Sequence, residues 1–71
     1  MIITFHWNET ANSEGEWLMN LSNRPAQWLQ EQNWESAAKA NNDAAAILER
    51  IEFFRTQMKK DLMANDYVLE V

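Results

Sequence analysis

The sequence predicts an α+β fold, a small antiparallel sheet built largely from the two ends of the chain and packed on one dominant amphipathic helix. Residues 2–7 and 67–71 alternate apolar with polar positions and are rich in β-branched and aromatic types, the pattern of half-buried strands. Between Asp43 and Met63, the residues Ala44, Ile47, Leu48, Ile51, Phe54, Met58 and Leu62 recur at steps of three and four. At about 100° per residue they gather into one helical stripe. Length is the third observation: 71 residues make a single small domain, 1–71, which buries only about 60% of its unfolded surface.

In chain order, the strand 2–7 sets Ile3, Phe5 and Trp7 on one face and Ile2, Thr4 and His6 on the other. The polar run Asn8 to Gly15 holds the only glycine and reads as a loop. Residues 16–21 admit two readings. With period two, Trp17, Met19 and Leu21 line one face and close a hairpin on the first strand. As a helix, Ser13 and Glu16 form a capping box ahead of Trp17, Leu18 and Leu21. The hairpin is preferred.

Ser22, Asn23, Arg24 and Pro25 make a turn and a helix start, and a short helix over 25–32 follows with Ala26, Trp28 and Leu29 as its apolar content. Asn33 reads as a second cap, with Glu35 in the first turn behind it. The long helix then either runs unbroken from 34 to 64 or breaks at Asn41, Asn42 and Asp43, leaving a helix of about 43–64. Unbroken, it would span about 45 Å. A compact chain of this size has a diameter of roughly 29 Å, so a continuous helix needs a second chain to cover it. Ala37, Ala38, Ala40, Ala44 and Ala45 suit close backbone approach, and the sequence leans towards a homodimer through the long helix. Asn65 is placed to end the helix. Tyr67, Leu69 and Val71 then face inward on a last strand that pairs with residues 2–7.

Chemistry is mostly excluded rather than suggested. There is no cysteine, so disulfides, thiolate metal sites and thiol catalysis are all ruled out. His6 is the lone histidine and offers no metal spacing; it reads as a strand residue with Glu70 as a cross-strand partner. Ser13, Ser22 and Ser36 lie in no nucleophile elbow, and one glycine cannot build a phosphate loop. No cofactor and no metal are expected, and no enzyme. The N-terminus has no basic n-region and the chain no long apolar run, which points to a soluble, cytoplasmic protein without a membrane span.

The net charge of −5 divides into −4 over residues 1–38, +2 over 39–60 and −3 over 61–71. That balance makes nucleic acid an unlikely partner, since phosphate binding needs a concentrated cationic face. The partner expected is another protein. Phe53 falls about 160° from the centre of the helical stripe, beside Arg50 and Lys60. Either it is covered by the N-terminal segment or the Trp28 helix, or it is an aromatic anchor with a cationic rim. Four tryptophans exceed what so small a core requires, and Trp28 or Trp34 is expected at an interface.

The function expected is a non-enzymatic protein-interaction module, of the size and plain organisation of accessory proteins that phages and mobile elements direct at host machinery as inhibitors or adaptors. The alternatives are a small nucleic-acid-associated regulator using Lys39, Arg50, Lys59 and Lys60, or a structural subunit of a larger assembly.

Overall fold

A computed structural model describes residues 1–9, 14–21, 27–57 and 65–71. The expected α+β architecture is present: four antiparallel strands form one sheet, and two helices pack on it. Strand β1 (Ile2–Glu9) pairs with β2 (Gly15–Asn20) in the register Thr4 opposite Asn20 through Glu9 opposite Gly15. The hairpin is therefore the conformation adopted over 15–20, and Trp17 and Met19 share its buried face. On its other side β1 pairs with β4 (Tyr67–Glu70), Ile2 opposite Glu70 and Phe5 opposite Tyr67, so the chain ends meet. A two-residue strand β3 (Leu29–Gln30) lies against β2 and completes the order β3-β2-β1-β4.

The short helix lies later than the sequence suggests. In place of helix over 25–32, Leu29–Gln30 is strand, Glu31–Asn33 is a 3-10 turn, and helix α1 runs Trp34–Lys39; residues 22–26 lie outside the described residues. Asn33 does not cap with its side chain, because the 3-10 turn leads straight into α1 and the Trp34 amide donates to the Glu31 carbonyl. The long helix is broken where the sequence allows it. After α1, residues 40–43 turn and helix α2 runs Ala44–Gln57. The Ile47 amide donates to the Asp43 carbonyl at 3.0 Å, and the Asp43 amide to Asn41 Oδ1 at 3.1 Å. The stripe positions Met58 and Leu62 and the expected helix end near 64 fall on undescribed residues 58–64. A continuous helix of about 45 Å would have overrun the longest extent of the molecule, 36 Å.

The core lies between sheet and helices. Odd-numbered strand residues Ile3, Phe5, Trp17, Met19 and Leu69 meet Trp34 and Ala38 of α1 and Ile47, Ile51 and Phe54 of α2. Phe54 is its centre, stacked on Phe5 with centroids 3.7 Å apart and edge-on to Trp17 at 5.2 Å and Trp34 at 5.8 Å. Trp34 is fully buried, so it cannot be a surface anchor in this fold. Its indole N–H donates to the Leu29 carbonyl at 3.0 Å, its ring edge meets Phe5, and the Arg55 guanidinium sits 5.8 Å from its centroid. Val71, expected to face inward, is exposed beyond the end of β4.

Candidate functional site

The described residues among those singled out as partner-binding, Arg50, Phe53, Trp28 and Trp34, do not form one site. Trp34 is in the core. On α2, Phe53 is exposed and Arg50 is half-buried beside the buried stripe. Lys60 lies outside the described residues. Trp28 is on the opposite side of the molecule, its ring 5.4 Å from that of His6. His6 points away from the core because it alternates with Phe5, which stacks on α2.

The even-numbered face of the sheet, to which Trp28 belongs, carries none of the buried apolar cluster; its one buried residue is Asn20. Registry arranges that face in rows. Asn20, Thr4 and Val68 stand side by side across β2, β1 and β4. The next row is Gln30, Leu18 and His6, and Asp66 extends it, because His6 Nδ1 donates to Asp66 Oδ1 at 2.7 Å. Ile2 lies opposite Glu70 in a third row. Trp28, just ahead of β3, reaches diagonally past Leu18 to His6.

Two properties set this face apart. First, it carries large apolar side chains open to solvent: Val68 is 57% exposed and Trp28 37%, with Ile2 and Leu18 half-buried on the same face. Second, it holds carboxylates without lysine or arginine among the described residues. Glu16, Asp66 and Glu70 stand on it, whereas the lysine and arginine side chains among the described residues, Lys39, Arg50 and Arg55, all belong to the helical layer. The −5 of the whole chain is thus sharpened locally on the sheet. Arg55 is in addition bound to Glu35 at 3.0 Å, a bridge between α2 and α1.

The His6–Asp66 contact differs from the expected His6–Glu70 pair for a reason of register: Glu70 is opposite Ile2, four residues away, while Asp66 follows in line after Tyr67 opposite Phe5. The pair is open to solvent, with side chains 44% and 50% exposed. No group of three metal-ligating side chains occurs among the described residues, and no described helix is long and apolar enough to cross a membrane. Leu18 and Val68 were not singled out from the sequence, although their signal was there. Both are apolar residues at outward positions of strands whose inward positions are already apolar. Comparison with protein-family models, with curated proteins and with solved structures gives no match.

Proposed function

We propose that this protein works by binding another protein through the even-numbered face of its sheet, and that it is not an enzyme. The observation that carries the reading is the composition of that face: Trp28 and Leu18 towards its β3 side and Val68 and Ile2 towards its β4 side, with Thr4 and His6 between them, bordered by Glu16, Asp66 and Glu70 and with no lysine or arginine on it among the described residues. Exposed aromatic and aliphatic side chains bordered by a charged rim are what protein-binding patches present. The rim selects a partner with a basic surface and raises the rate of encounter.

The outward side of α2 supports a second, weaker reading, since Phe53 is 41% exposed there. It stands without a second large exposed apolar side chain among the described residues of that helix. Binding of nucleic acid by the helical layer has less support, because Arg55 is engaged by Glu35 and Trp34.

A photo-crosslinking residue placed at position 28, or in parallel at position 53, separates these readings in cells. Adducts to a basic protein are expected from position 28, and Val68→Glu is expected to remove them. Adducts from position 53 alone, or adducts from position 28 that survive Val68→Glu, would sink the sheet-face reading.

A further inference from the structure

Met1 and Val71 exchange both of their backbone hydrogen bonds, Met1 N to Val71 O at 3.0 Å and Val71 N to Met1 O at 2.8 Å. In an antiparallel ladder such doubly bonded pairs alternate with pairs that exchange none. Ile3 opposite Leu69 and Phe5 opposite Tyr67 are therefore bonded pairs, and Ile2 opposite Glu70 and Thr4 opposite Val68 are not. It follows that the N–H and C=O groups of Val68 and Glu70 point away from β1. β4 is the last strand of the sheet, so among the described residues no strand receives them. Short strands, charges, proline and bulges are the common devices that guard such an edge. β4 has neither proline nor bulge, reading Tyr-Val-Leu-Glu in uninterrupted register with β1; its guards are its four-residue length and its acids, and the latter repel a second acidic edge without repelling a cationic strand.

The side chains along this edge on the proposed binding face are Asp66, Val68 and Glu70, an acid on each side of the most exposed of the large hydrophobic residues described. Asp66 is held by His6 at 2.7 Å through one carboxylate oxygen, whereas Glu70 has no ion pair among the described residues. A second copy of the chain is a poor occupant. Paired about Val68, two β4 strands would set Asp66 against Glu70 twice, and like charges directly opposite each other are unfavourable. Shifted by one pair, each Glu70 would face a valine and gain no counter-charge.

We propose that the free edge of β4 takes up an extended segment of the partner protein as a fifth antiparallel strand, with cationic side chains opposite Asp66 and Glu70 and an aliphatic one opposite Val68. This rests on the sheet-face reading and gives it a recognition chemistry. Backbone pairing supplies the affinity, and the alternation of cation, aliphatic and cation supplies the selectivity.

The test uses the intact protein and an acetylated, amidated peptide Lys-Thr-Val-Thr-Lys, followed by NMR. In the free protein, the Val68 and Glu70 amides exchange with solvent readily while those of Leu69 and Tyr67 are slow. With peptide at ten times its dissociation constant, exchange at Val68 and Glu70 is expected to slow about tenfold, because only the free fraction exchanges. N-methylation of the peptide's central valine, whose amide faces β4, is expected to abolish binding, whereas N-methylation of a threonine leaves it unchanged. Val68→Pro removes a donor that β1 does not use, and is expected to weaken binding roughly tenfold with the fold intact.

Binding without protection of the Val68 and Glu70 amides would overturn strand addition, as would equal binding of both methylated peptides. So would absence of binding, or protection of both amides in a free protein with twice the monomer mass, the sign of a self-paired edge. Adducts at position 28 that persist beside such a result would leave the face reading standing without the fifth strand.

Discussion

Gly15 stands where a side chain cannot go, because a Cβ placed there would fall inside the Trp7 ring. The only glycine of the chain thus serves close packing across the hairpin, where the Trp7 ring lies over its neighbour's backbone and meets Trp17 edge-on at 5.2 Å. Trp7 Nε1 is buried in the process without a hydrogen-bond partner among the described residues, a cost that the ring packing has to offset. Gly15→Ala is expected to destabilise the fold by about 1–3 kcal/mol, as overpacking does. In the background of Trp7→Ala most of that loss should vanish, and urea unfolding of the four members of the cycle measures the coupling. The fates of Trp28 and Trp34 were hard to tell apart from composition alone, since both sit among polar neighbours. Trp34 did carry a clue, because Ala38 lies one turn on, and both are fully buried.

The helices illustrate how local signals fare against packing. The break at residues 41–43 was legible, because Asn41, Asn42 and Asp43 are poor helix interiors and good caps, and the structure uses Asn41 Oδ1 to hold the Asp43 amide. Asn41→Ala is expected to cost about 1 kcal/mol with an unchanged dependence on urea, which an equilibrium titration would read directly. The helix over 25–32 shows the opposite outcome. A proline start signal and weak helical periodicity predicted it, but Leu29 reaches the core edge by pairing with Met19 on β2, and the ladder takes precedence over propensity. The terminal strands were legible because their alternation is regular. Their pairing partners on the outer face were not, because a shift of register changes which even-numbered residues meet, and that is set by the assembled sheet. Hence His6 finds Asp66 and not Glu70.

On the scale of the whole molecule, the broken helix removes the argument from length for a second chain. The Cα radius of gyration of 11.7 Å agrees with the value near 11 Å expected for a compact chain of this length. With an acidic edge that disfavours pairing with itself, the protein is expected to scatter light as a monomer of 8.4 kDa at low and moderate salt; a dimer that persists on dilution would return the homodimer to consideration. The two layers also place the four tryptophans at graded depths: Trp34 is wholly enclosed, Trp17 nearly so, Trp7 is half-buried, and Trp28 is open to solvent. Trp28 is therefore the indole that dissolved quenchers are expected to reach most readily, and the acids of its face, Glu16, Asp66 and Glu70, are expected to favour caesium over iodide there. The proposed contact surface carries its own fluorophore, and a partner that settles on it darkens or brightens the protein without any label being attached.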